Sequence, residues 1–259
     1  MALDSFSQFW MLEPVKDDNF YLPFDEGAGE LTAEVQVGEY TLTNITEVVA
    51  AALNAVGNNS YTVSFDRDTR KYTITSDGNF SLLITSGSQI GVDIFALLGF
   101  SGADTPFALS HVSDSAAGTV FSPQFKLQDY TPFDNWQEAS SASISTNTIG
   151  GVEVVSFGTV YFMELNIMFS TNIAQPQIGP IVNNPTGLDD LRSFMVFATK
   201  KYPIEYIPDS GDINTYENIL LESAPGDSKG VGFKLKEMTN KSLPGYYETG
   251  KLKFRRIST

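Results

Sequence analysis

Cysteine is absent from this 259-residue chain, and histidine occurs once, at His111. The first absence removes disulfides, thiolate nucleophiles and cysteine-ligated zinc together. The second leaves only an all-oxygen metal site open, because the common transition-metal sites need several imidazoles or thiolates. Basic residues are scarce, 16 against 31 acids, for a net charge of −15. That balance argues against nucleic acid as a partner, since phosphate backbones select for Lys and Arg. The N-terminal stretch has no basic region ahead of an apolar core. No run approaches the ~20 apolar residues of a membrane span, so no membrane insertion is expected.

What is present is apolar and aromatic. Phe and Tyr number 19 and 11, which favours half-buried strands over long helices. Charge is unevenly spread: residues 1–191 hold 5 basic and 23 acidic side chains, and residues 192–259 hold 11 and 8. An acidic face of one copy meeting a basic face of the next is one reading of that split; a solvated acidic surface is the other.

Strand patterns dominate. Residues 19–37 read as a strand pair around Glu26-Gly27-Ala28-Gly29. Residues 61–74 read as a hairpin turning at Asp66-Arg67-Asp68-Thr69, and a third strand, Phe80 to Thr85, follows a turn at Asp77-Gly78-Asn79. Between them Ile45, Val48, Val49, Ala52, Leu53 and Val56 recur at helical spacing. Asn44 and Glu47 suggest a capping box and Gly57 a left-handed stop. A short helix is expected near Val92 to Leu98. Residues 31–104 are therefore assigned to a small β-α-β-β-β-α module. Residues 105–124 are read as a connector, and residues 125–259 as the main β domain, which also takes the strands of residues 1–30. A helix over 189–201 buries Leu191, Phe194, Met195, Phe197 and Ala198, with Lys200 and Lys201 at its end. The expected fold class is mainly β (α+β), an antiparallel β-barrel or sandwich carrying the small module.

The chemical motifs fail on inspection. Gly245 to Lys251 matches GxxxxGK, but Leu252 stands where the magnesium-binding hydroxyl belongs, and a strand follows instead of a helix; a hairpin turn is expected. Asp66-Arg67-Asp68 starts like a calcium loop but has Lys71 at the glycine position. Asp209, Asp212, Asn214 and Glu217 supply oxygens for a calcium ion, or simply turn chemistry. His111 reads as a surface residue, with no nucleophile elbow to complete a triad. Trp10 and Trp136 suit a core or an interface better than a sugar platform. The four Asn-X-Ser/Thr sites, at Asn44, Asn58, Asn79 and Asn240, are read as chance. No catalytic, cofactor-binding or metal-binding residue is assigned, and no enzyme activity or cofactor is expected.

Two stretches carry a resemblance. Residues 37–100, opening VGEYTLTNITEVVAAALNAVG, resemble a small module that recurs in structural proteins of tailed phages. Residues 194–257, with FMVFATKKYPIEYIPD, ENILLES and LPGYYETGKLKFRRI, are similar to the C-terminal part of tail-tip proteins of long-tailed phages. Within that group the distal tail protein is the nearest role. The resemblance implies a virion protein, synthesised in the host cytoplasm, forming a ring of copies of itself, usually six-fold. Such a ring joins the tail tube to the baseplate or central fibre, and its partners are other tail proteins. The front-placed module departs from the simplest distal tail pattern and leaves the position in the tail open. A carbohydrate- or receptor-binding adhesin module and a capsid- or head-associated protein are the alternatives. Inter-subunit contacts are expected in the Pro/Asn-rich loop, at Gln175, Pro176, Pro180, Asn183, Asn184 and Pro185. They are also expected on the basic terminal strand, at Lys251, Lys253, Arg255 and Arg256.

Overall fold

A computed structural model describes residues 7–122, 136–146, 152–167, 170–171, 188–224, 234–237 and 246–257. Antiparallel strands dominate and fall into several sheets. The main sheet has seven strands: β1 (Gln8–Met11), β7 (Thr119–Phe121), β8 (Trp136–Thr146), β9 (Val152–Asn166), β11 (Ile204–Ile207), β12 (Glu217–Ser223) and β15 (Lys251–Arg256). Their spatial order is β7-β1-β11-β12-β15-β9-β8. The barrel expected from the sequence does not close: β7 and β8 end the sheet and do not pair with each other.

The chain leaves this sheet after β1 and returns to it at β7. In between it builds a second unit from β2 (Tyr21–Asp25), β3 (Glu30–Glu34), α1 (Ile45–Val56), β4 (Tyr61–Asp66), β5 (Lys71–Leu82), α2 (Phe95–Leu98) and β6 (Ala108–Val112). β2 pairs with β3 and β5, so a division at residue 31 falls inside a hairpin. The stretch read as a connector, 105–124, holds two strands: β6 completes the inserted unit and β7 re-enters the main sheet.

Alternation along β1 and β11 explains how one sheet serves two cores. Phe9, Met11, Ile204 and Tyr206 face one side, with Phe254, Leu221 and the inner face of α3 (Leu188–Thr199). Trp10, Leu12 and Ile207 face the other side and join the core of the inserted unit, with Phe24, Leu53, Tyr72 and Phe80. Strands buried on both faces read as nearly continuous apolar runs, as these do. Phe9 centres an aromatic cluster, with ring centroids 4.9 Å from Phe194, 5.3 Å from Tyr206 and 6.0 Å from Phe254.

Local chemistry departs from the expected pattern at several points. Asn44 is helical and makes no side-chain cap; its own N–H donates to Thr41 Oγ1. Gly57 is extended, with φ −72°, and packs so closely on Tyr61 and Glu26 that a Cβ would overlap both. Left-handed stops occur instead at Gly99, φ 80°, after α2, and at Lys201, φ 65°, past the end of α3. The turn expected at Asp77-Gly78 is absent. β5 runs unbroken because Asp77 N–H bonds the Ser60 carbonyl while the Asp77 carboxylate accepts Ser60 N–H, and only the register with β6 shifts.

Candidate functional site

The longest strand pair is β8 with β9, aligned from Trp136↔Met163 to Thr146↔Val152. On its other edge β9 meets β15 only from Phe162 to Asn166. Residues 152–161 of β9 therefore pair with β8 alone among the described residues, as does the whole of β8. At ~3.4 Å per residue this two-stranded ribbon is about 30 Å long. One bulge interrupts it, where Phe157 and Gly158 oppose Ser141. The extra residue at Phe157-Gly158 bends this strand locally. By sequence each arm of the ribbon holds a single charge, Glu138 in β8 and Glu153 in the 152–160 stretch of β9. A two-stranded hairpin is marginal in water by itself, and edges so free of charge invite further strand pairing.

The basic terminal strand sits elsewhere. β15 lies inside the sheet, flanked by β12 and β9, and its cations pair within the chain. Lys251 reaches Glu164 at 3.1 Å, Lys253 and Arg255 share Glu222 at 3.3 and 3.2 Å, and Arg256 meets Glu217 at 2.6 Å. The expected inter-subunit residues on this strand are therefore engaged by acids of the flanking strands. The other expected contacts, Gln175, Pro176, Pro180, Asn183, Asn184 and Pro185, lie outside the described residues.

The GxxxxGK stretch is a corner between sheets rather than a hairpin. β14 (Tyr246–Glu248) pairs with β10 (Ser170–Thr171) and β13 (Lys236–Glu237), whereas β15 belongs to the main sheet. Thr249 exchanges hydrogen bonds with Ile167, and Gly250 turns the backbone with φ 70°. The pairing of β9 with β15 thereby continues around the bend as β10 with β14.

Sequence reading missed a buried ion pair. Glu205, fully buried on β11, accepts the Thr43 backbone N–H at 2.7 Å through Oε1 and Arg67 Nη1 at 2.6 Å through Oε2. Arg67, in the turn between β4 and β5, also donates from Nε to the Ile213 carbonyl and from Nη1 to Thr43 Oγ1. Its guanidinium packs 4.5 Å from the Trp10 ring centroid and 4.0 Å from that of Tyr216. This cluster ties the inserted unit to the main sheet. Burial, with the negative charge of Glu205 nearby, pushes the Tyr72 phenol well above its usual value. A signal was present: Glu205 is an acid inside the apolar run PIEYIP, and a buried carboxylate requires a cationic partner.

The remaining candidates fall into structural roles. His111 is buried, not superficial; its Nε2 lies 2.9 Å from the Phe80 carbonyl and its ring packs edge-on against Phe80. Asp209 accepts Gly211 N–H, Asp212 accepts Thr215 Oγ1–H and Glu217 binds Arg256, so these oxygens do not converge. Among the described residues no group of three or more acids and histidines is placed to hold a metal ion. Trp10 is 3% exposed, with Nε1–H donating to Gln8 Oε1, and offers no platform to a sugar. No helix of the described residues is long and apolar enough to cross a membrane. No protein-family model matches the chain, and no curated protein matches it.

Proposed function

We propose that this chain is a structural virion protein whose copies assemble into a ring at the distal end of a long-tailed phage tail. In this reading the ring joins the tail tube to the baseplate or fibre and carries no catalytic chemistry. The observation that supports assembly is the β8–β9 ribbon, whose two outer edges pair with no other strand among the described residues for most of its length. Neighbouring copies satisfy such edges by strand addition, and closed symmetry leaves none over. The place in the tail rests on the resemblance of residues 194–257 to tail-tip proteins of long-tailed phages, and that of residues 37–100 to a module of tailed-phage structural proteins supports a virion role. Because the cations of β15 are already paired in the chain, the ring is held by main-chain pairing rather than by opposite charges.

Native mass spectrometry and negative-stain imaging of the purified protein test this reading, with antibody labelling of virions to fix the location. The expected result is a closed ring that persists at moderate salt, is lost when residues 141–158 are replaced by a short turn, and maps to the tail tip. A folded monomer that binds glycan, or label on the head, would overturn it.

A further inference from the structure

A second open edge lies on the inserted unit. β6 pairs with β5 through Thr73↔Val112, Ile74↔His111 and Thr75↔Ser110, and with no other strand among the described residues. Ser113 N–H donates to the Tyr72 carbonyl, which fixes the hydrogen-bonding phase of this pair. By the alternation of an antiparallel ladder, His111 then directs its backbone groups at β5, whereas Ser110 and Val112 direct theirs outward. Beside this outward row stand three large apolar side chains within six residues: Phe107 at 52%, Leu109 at 52% and Val112 at 58% exposure.

Charge decides the occupant. Residues 105–113 contain no Asp, Glu, Lys or Arg, in a chain of net charge −15. Neither a lysine nor an inward charge guards residues 108–112; Pro106 and the register shift beside Ala108 protect only the N-terminal end of the edge. Most surfaces of so acidic a chain repel one another, but this edge does not. Its acids, Asp104 and Asp114, stand at opposite ends of the segment. In a parallel pairing of two such edges like acids would meet. In an antiparallel pairing that sets Ser110 opposite Val112, each Asp114 lies opposite the uncharged Ala108 of its partner.

We infer that β6 is a self-association edge: two copies of this chain join antiparallel through β6, continuing their small sheets into one across a two-fold axis. Ser110 and Val112 exchange main-chain hydrogen bonds with their counterparts, and Phe107, Leu109 and Val112 lose their exposure. The contact is short, of the class that buries less than ~1,200 Å² in total, so it is weak and concentration-dependent. It does not rest on the ring reading. If the chain forms rings of n copies through the ribbon, this edge makes assemblies of 2n; if it does not, the edge makes dimers.

Sedimentation equilibrium of the full chain over a wide concentration range tests this. The mass is expected to double as concentration rises. Ser110→Pro removes an outward N–H and spares the main-chain ladder to β5, at the loss of the exposed Ser110 Oγ–Thr75 Oγ1 hydrogen bond of 3.1 Å, and Val112→Lys places charge on the edge. Each is expected to raise the dissociation constant for doubling at least ~10-fold while leaving the lower-mass state unchanged, and Val112→Lys, at a side chain 58% exposed, is expected to leave the thermal melt unchanged as well. Replacement of the ribbon, by contrast, changes n and not the doubling. A wild-type mass that never doubles, or a doubling that survives both substitutions, would overturn the inference.

Discussion

Arg67 and Glu205, 138 positions apart in the chain, meet at 2.6 Å on the side of the main sheet that faces the inserted unit. Arg67 is 11% exposed and Glu205 not at all. Removing one partner of such a pair strands the other charge, which costs about 3–5 kcal/mol, whereas an apolar replacement of both can be nearly neutral. Arg67→Met and Glu205→Met should each destabilise the protein by that order. The double variant should cost clearly less than the two added together. Urea unfolding of the four proteins, as a double-mutant cycle, measures the coupling; additive losses would sink the assignment.

A second prediction concerns acid. Partial burial works against the charged form of Glu26, but the N–H groups of Asn59 and Asn58, the Asn58 side chain and the Tyr61 hydroxyl all donate to it. Their sum holds its carboxyl below the ordinary value of 4.5. A carboxyl depressed in the folded state stabilises fully above its unfolded pKa, and that stabilisation fades as pH falls through the folded one. The stability gap between wild type and Glu26→Gln should therefore be constant near neutrality and shrink below about pH 4.5. Denaturant melts at stepped pH read this directly, and a gap that widens on acidification would contradict it.

Gly118 should tolerate no side chain. Its φ is 64°, and a Cβ there would stand 2.6 Å from the Met11 carbonyl oxygen and 2.9 Å from Leu42 Cδ2. Gly118→Ala should cost about 2 kcal/mol or more from backbone strain plus overlap. Gly102→Ala, with φ 86° and nothing within 4 Å, carries only the backbone penalty and should cost about 1 kcal/mol. Thermal unfolding of the two variants should rank them in that order.

The ion pairs of β15 are predicted to matter little for stability. Lys251, 82% exposed, should be replaceable by Ala within about 0.5 kcal/mol. Glu222→Ala, which unpairs Lys253 and Arg255 together, should stay near 1 kcal/mol. Larger losses in urea would mean that these contacts do more than neutralise neighbouring strands.

Helix faces were the most legible part of the fold. Leu191, Phe194, Met195, Phe197 and Ala198 are buried as their spacing requires, and α1 buries Ile45, Val49, Ala52 and Leu53. Helix ends were less so, because tertiary contacts decide them: the Glu205 carboxylate binds Thr43 N–H just ahead of α1, and Gly57 is extended where it packs on Tyr61. Turn chemistry misled at Asp77-Gly78, where cross-strand bonds to Ser60 carry the strand through residues that locally favour a turn. The acids that pair with the cations of β15, Glu164, Glu217 and Glu222, lie tens of residues away in the chain. Sequence shows a charge but not the distant charge that answers it.

Met11 and Thr119, the last residue before the inserted unit and the first after it, are paired neighbours on adjacent strands. The two connections thus leave and re-enter the sheet about 5 Å apart, the separation that a tight turn also spans. A gene encoding only the sheet could have gained the unit at one point without shifting the register of a single strand. Losing it again would be costly, because Trp10, Leu12 and Ile207 would be uncovered and the buried Glu205 carboxylate left without Arg67.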